Sequence, residues 1–294
     1  MAVLLSFLAT GCALSWGQSS GQTDGQADAA ASPSAAEPPE ANPARPTIAS
    51  PAKLTPVGYV QMEQGLVQAN DSPGLERQFS VSQVTKITVH SRLMFQFLTQ
   101  PFSASVADGV HSRAPGDLQA GAQVVLVNQA DRGPTIAAGY VRRVRSGDAA
   151  DLDIGGFSDS ALILASGDPA GFHYDTNFIV SVQDAGVVRR AQFGGTISVS
   201  HPLWWTGWGL TGELWRFTQP LVTETHDGRP HPRSNATGTL WAVSYTVRPN
   251  LVLDAAFDHG LTATSTQWQG LAGFTYLFPH RLWKSREPAA VAKH

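Results

Sequence analysis

Apolar and polar side chains alternate one by one along GFHYDTNFIVSV, and no other property of this chain restricts its fold as sharply. Phe172, Tyr174, Thr176, Phe178, Val180 and Val182 share one face of an extended strand, and His173, Asp175, Asn177, Ile179 and Ser181 share the other, because successive side chains on a strand point to opposite sides. GDLQAGAQVVLV repeats the pattern, setting Leu118, Ala120, Ala122, Val124 and Leu126 against Gln119, Gly121 and Gln123. NLVLDAAFDH sets Leu251, Leu253, Ala255 and Phe257 against Asp254 and Asp258. Charged and amide groups thus keep to one face and aliphatic and aromatic groups to the other.

Segments of this kind fall at 57–67, 77–88, 92–99, 116–127, 134–145 and 157–166, then at 171–182, 189–200, 207–218, 235–247, 250–259 and 268–278. That makes about twelve, an even number, each of the roughly nine to eleven residues that a tilted strand needs to cross a bilayer. Odd connections such as 101–115, 146–156 and 219–234 are long and polar, whereas even ones such as 90–91, 167–170 and 248–249 are short. Long loops at one end and short turns at the other predict an all-β, antiparallel, up-and-down transmembrane β-barrel. Trp204, Trp205, Trp208, Trp215, Trp241 and Trp268 lie toward strand ends or on an apolar face, where indole suits the boundary between water and lipid.

Composition agrees. Only 15% of the residues are charged although 42% are hydrophobic, and no apolar run after the first residues reaches the roughly 18 that a spanning helix needs. A polytopic helical membrane protein is excluded. The formal net charge of −3 leaves no basic footprint for nucleic acid, and the single Cys rules out a disulfide scaffold or zinc cluster.

The N-terminal seventeen residues, MAVLLSFLATGCALSWG, have the length of a secretory signal, although no Lys or Arg precedes the apolar run. Cys12 follows Leu8, Ala9, Thr10 and Gly11 in an arrangement similar to a lipoprotein box, so it is either lipidated or discarded with the signal. Residues 18–56 are rich in Ala, Pro and Ser and nearly free of large apolar side chains. Such a composition predicts a disordered, flexible extension, with the barrel running over 57–279 and a tail over 280–294.

Alternation also predicts which side chains face the interior: Tyr59, Gln61, Glu63, Lys86, Gln119, Gln123, Arg143, Arg145, His173, Asp175, Asn177, Glu213, Asp254 and Asp258. An Arg or Lys facing lipid at mid-depth would cost about 2–4 kcal/mol. The carboxylates facing Lys86, Arg143 and Arg145 would either set up a transverse field on a solute or form an ion-pair network that only satisfies the interior. On the last segment, Gly273, Tyr276 and Phe278 have the Gly-x-x-aromatic-x-aromatic spacing similar to the terminal signal of bacterial barrels, with Leu271 where a polar residue is usual. The same residues would also suit an ordinary strand with aromatic cross-strand pairs. His226, Asp227 and His231 sit in a loop with Pro and Gly, a weak basis for a metal site. Ser198 or Ser200 beside His201 makes no catalytic pair on one strand, and no nucleophile elbow exists. No enzyme activity, cofactor or metal is expected.

The stretches RPTIASPAKLTPVGYVQMEQG, GDLQAGAQVVL, GFSDSALILASGDPAGFHYDTNF, GLTGELW and SYTVRPNLVLDAAFDHGLTATSTQWQGLAGFTYLFP together resemble, in order and spacing, the outer-membrane family named for the MetA-pathway of phenol degradation. The resemblance spans about Arg45 to Pro279. It implies a barrel of twelve or a similar number of strands that takes up small, often aromatic or hydrophobic compounds. The reading is therefore an exported, monomeric barrel of the bacterial outer membrane, in contact with its lipid and the barrel-insertion machinery, that passes a small-molecule solute. A barrel with a blocked lumen and partner-contacting loops, or a soluble secreted ligand-binding barrel, are the alternatives.

Overall fold

The computed structural model describes residues 39–128, 133–150, 152, 157–185, 188–218 and 235–283. The expected signal peptide with Cys12, the start of the expected linker, the loop holding His226, Asp227 and His231, and the chain after Trp283 lie outside the described residues. Thirteen strands follow one another: β1 (Val60–Ser72), β2 (Leu75–His90), β3 (Leu93–Ala107), β4 (Val110–Ala114), β5 (Leu118–Val127), β6 (Thr135–Arg145), β7 (Asp159–Gly167), β8 (His173–Ala185), β9 (Val188–Pro202), β10 (Trp208–Phe217), β11 (Ala236–Arg248), β12 (Leu251–Gly260) and β13 (Trp268–Leu277). One 3-10 turn, Pro169–Gly171, is the single helical piece among the described residues.

Every pairing is antiparallel. β1 pairs with both β2 and β13, and β3 pairs with both β2 and β5, so the sheet closes on itself through twelve strands. β4 pairs only with β3 and stands outside the ring. Closure removes the free edges of the twelve ring strands, and among the described residues β4 alone keeps an unpaired edge.

The faces sort as the alternation demands. Ile163 lies opposite Phe178, and Ile197 opposite Leu214, and all four are exposed. Between them in sequence, Asn177, Ser198 and Glu213 are buried. The barrel is thus apolar outside and polar inside, the inverse of a water-soluble domain.

Three features depart from expectation. The stretch 101–115, expected as a polar loop, continues β3 to Ala107 and returns as β4. Asp108 (φ 49°) and Gly109 (φ 73°) form the turn between them, the Asp-Gly pair that suits a two-residue hairpin with positive φ at both positions. Loop length does not follow parity throughout, since β1 and β2 are joined by Pro73–Gly74 alone and β9 begins three residues after β8 ends. Long hairpins there replace long loops. Trp215 is not on the apolar face: it shares parity with Glu213, is 1% exposed and packs over its cross-strand partner Gly238, whose missing side chain makes room for the indole. Trp208, Trp241 and Trp268 do face outward, and Trp204 and Trp205 stand exposed in the 203–207 turn.

Order also begins earlier than Val57. Residues 39–56 are described, and Ala49 and Ala52 are fully buried, so the flexible extension predicted over 18–56 does not reach into 39–56. The small side chains that argued against a core fit instead within a narrow barrel.

A Phe178→Arg substitution should lower stability by about 2–4 kcal/mol in bilayers, read by urea titration of protein refolded into phosphatidylcholine vesicles. Unchanged stability would contradict the lipid-facing assignment.

Candidate functional site

The buried polar wall has a partner, and the partner is residues 41–55 of the same chain. At the end of the barrel that carries the 91–92, 168–172 and 249–250 connections, the Ala41 N–H donates to the Pro249 carbonyl at 2.8 Å. From there the segment climbs. The Asn42 N–H donates to Gln61 Oε1 at 2.9 Å, and Gln61 Nε2 returns a bond to the Asn42 carbonyl at 2.7 Å. The Ala44 N–H reaches Glu63 Oε1 at 3.3 Å. Mid-barrel, the Ile48 and Ala49 N–H groups donate to the two carboxylate oxygens of Glu213 at 2.8 and 2.6 Å. The Ser50 N–H donates to Asn177 Oδ1 at 2.7 Å, and Asn177 Nδ2 donates to the Ser50 carbonyl at 2.9 Å.

The segment then descends to the same end. The Ala52 N–H donates to Ser166 Oγ at 2.7 Å, and Gln123 Nε2 reaches the Pro51 and Ala52 carbonyls at 3.0 and 3.1 Å. Lys53 Nζ meets Asp168 Oδ2 at 2.5 Å, and the Thr55 and Thr88 hydroxyls lie 2.7 Å apart. Side-chain amides and carboxylates thereby do for this segment what a neighbouring strand does in a sheet. Pro43, Pro46, Pro51 and Pro56 shorten the demand, because proline has no N–H to satisfy.

Arg45 sits in a cradle written into the strand register. Ser82, Gly65, Gly273 and Asp254 are successive cross-strand partners on β2, β1, β13 and β12. A Cβ on Gly65 would lie 2.0 Å from Arg45 Nη1, and one on Gly273 would lie 2.9 Å from Arg45 Nε. Arg45 Nη1 donates to Ser82 Oγ at 3.1 Å, and Nη2 stands 3.6 Å from Asp254 Oδ1. Both glycines are needed for close approach, not for an unusual backbone.

The charges are mostly matched. Lys86 Nζ bonds Glu63 Oε1 at 2.5 Å, and His173 is placed between Asp168 (2.6 Å) and Asp175 (3.2 Å). In the turn after β7, the Lys53 ammonium and then the His173 ring hold the Asp168 carboxyl below its ordinary 3.8. The Lys53 contact is therefore intact at neutral pH and is lost only as acid titrates that lowered carboxyl. Lys86 is spent on its neighbour Glu63 and does not face the carboxylates across the barrel.

Of the residues predicted to face inward, Gln61, Glu63, Lys86, Gln123, Asp175, Asn177, Glu213, Asp254 and Asp258 are buried. Gln119, Arg143 and His173 are partly buried, and Arg143 pairs with Asp117 at 3.5 Å. Tyr59 precedes β1, with the Arg281 guanidinium 5.9 Å above its ring. Arg145 is exposed at the last position of β6, beyond a register shift at Leu118/Gln119 that carries it off the inner row. Tyr276 and Phe278 pack edge to face at 5.1 Å, while Gly273 borders Arg45. Sequence reasoning missed Arg45, Lys53, Ser166 and Asp168. The four prolines that space the donors, and the small residues at Gly65 and Gly273, were the available signals.

No protein-family model matches the chain, and no curated protein matches it. Solved structures of low identity are similar to it. The crystal structure of an outer-membrane channel from Pseudomonas putida F1 aligns with a TM-score of 0.54 at 14% identity, covering 77% of this chain and 98% of that one. The KdgM porin (TM-score 0.48, 10% identity) covers 74% of this chain and 99% of its own, and the NanC porin (0.48, 7%) covers 74% and 98%. The likeness to the Pseudomonas putida channel is one of fold.

Glu213→Ala should speed amide exchange of Ile48 and Ala49 at least about tenfold, since hydrogen bonds to a charged acceptor are worth about 1.5–3 kcal/mol. Exchange mass spectrometry of the full chain in micelles reads this, and unchanged protection would contradict the Glu213 anchor.

Proposed function

We propose that the chain is a monomeric outer-membrane channel for small solutes, and that residues 39–56 form a stopper in its lumen. The observation that carries the reading is the pairing of an apolar exterior with a polar interior in which Gln61, Gln123, Asn177 and Glu213 bond the backbone of a chain segment threaded into the lumen. A soluble barrel has no use for so continuous an apolar exterior. The short connections at 91–92 and 249–250 support a periplasmic position for the stoppered end. Export by the signal peptide and insertion through Gly273, Tyr276 and Phe278 complete this account. The resemblance to the MetA-pathway family supports small, often aromatic or hydrophobic compounds as the cargo, carried passively.

Withdrawal of the segment would take Arg45 and Lys53 with it and leave Asp168, Glu213 and Asp254 without the partners they now face. The open lumen would then favour cations. The blocked barrel is the second reading, favoured by the depth to which the segment is bound. Planar-bilayer recordings separate the two. The full chain should show brief, small openings, and a variant lacking residues 39–53 should show sustained, cation-preferring conductance. A variant that inserts, folds and stays silent would establish the blocked barrel instead.

A further inference from the structure

The stopper does not fill the barrel. A cavity of about 750 Å³ remains between its ascending arm, Asn42 to Thr47, and the wall formed by β8 to β11, within the size range of small-molecule sites. The space exists because the wall is built from short side chains. Ser200 lies opposite Thr211, Thr211 opposite Ala242, and Gly209 opposite Ser244, so adjacent rows present hydroxyls, a methyl and a bare backbone where longer residues would close the gap. Ser198, one row deeper, is 4% exposed. Among the described residues no side-chain hydrogen bond engages the Ser198, Ser200, Thr211 or Ser244 hydroxyls.

At the mouth of the same cavity stand Trp204 and Trp205. They are 80% and 58% exposed, with ring centroids 4.8 Å apart. Asp168, His173 and Asp175 also border the space but are already engaged with one another and with Lys53. The free chemistry is therefore an array of hydroxyls, each both donor and acceptor, beside two indole faces.

That combination selects among ligands. An apolar ligand would bury the hydroxyls unpaired, and an ion would find Asp168, His173 and Asp175 engaged and the Arg45 guanidinium, which also borders the space, set against Asp254 at 3.6 Å. A neutral polyol answers both surfaces: its hydroxyls exchange hydrogen bonds with the wall, and its C–H face lies against indole. We propose that this cavity binds an uncharged mono- or disaccharide. The inference goes beyond the channel reading, since the ligand is a mouth-bound effector and not the cargo. Because Asn42, Pro43, Arg45, Pro46 and Thr47 form part of the cavity wall, a ligand seated there binds the stoppered state better than an open one and shifts the population toward it.

The test is a titration of the full chain, held in a micelle whose headgroup is not a sugar, with maltose, glucose and phenol in parallel, followed by tryptophan fluorescence and calorimetry. Maltose or glucose should give a saturable signal with a dissociation constant of about 1 mM or below. Ser200→Leu, which fills the wall, and Trp204→Ala, which removes the platform, should each weaken it at least about tenfold. Trp241→Ala, on the outer surface, should leave it unchanged. Saturating maltose should also slow amide exchange at Ile48 and Ala49. No saturable signal from either sugar up to about 50 mM, binding of phenol alone, or sugar binding indifferent to both cavity variants would overturn the proposal. Heat-modifiable migration checks each variant's fold, and should Ser200→Leu fail to fold, the exposed Trp204→Ala decides. None of these readouts needs ion flux, so failure of the site and failure of the channel reading are separately visible.

Discussion

A closed barrel satisfies its backbone but creates a second problem, because half of its side chains face a narrow interior. Where those side chains are polar they need partners of their own, and burying them unpaired costs free energy. In this chain part of that need is met by a segment that precedes the first strand. Glu213, Asn177, Gln61 and Gln123 all bond its backbone. The lumen's chemistry, the position of the segment and the shape of the remaining cavity follow from that exchange.

The contacts are not equal in strength. Glu213 takes two N–H bonds at 2.6 and 2.8 Å, a geometry in which a carboxylate is well compensated. Arg45 is held more loosely: it stands 3.6 Å from Asp254, and its Nε and Nη2 and both Asp254 oxygens have no hydrogen-bond partner. A buried ion pair without those bonds gains little beyond its desolvation cost. Retention of the segment therefore rests on the amide contacts, and the Arg45 cradle sets its register.

Much of the barrel was legible because its signal is repetitive. Asp175 and Asn177 could be placed inside and Phe178 outside from strict alternation alone, since lipid and lumen impose opposite demands on neighbouring positions. Trp215 was misread because residue type was given more weight than parity; the gap over Gly238 that admits its indole depends on a pairing that sequence order does not reveal. The β3–β4 hairpin was hidden inside a polar stretch although Asp108-Gly109 marked its turn. The stopper was the largest omission. Its Ala, Pro and Ser composition matches that of unfolded linkers, and what orders it is the complementary wall, contributed by strands more than a hundred residues away at Asn177 and Glu213.

The central claim is that residues 39–56 lie within the barrel and not outside it. Oxidative cross-linking in outer membranes tests it directly, using a Cys12→Ser background with Ser50→Cys and Asn177→Cys, positions now joined by two hydrogen bonds. The account predicts an intramolecular disulfide in native membranes, seen as a shifted band that reductant reverses. Free thiols at both positions in correctly folded barrels would contradict it.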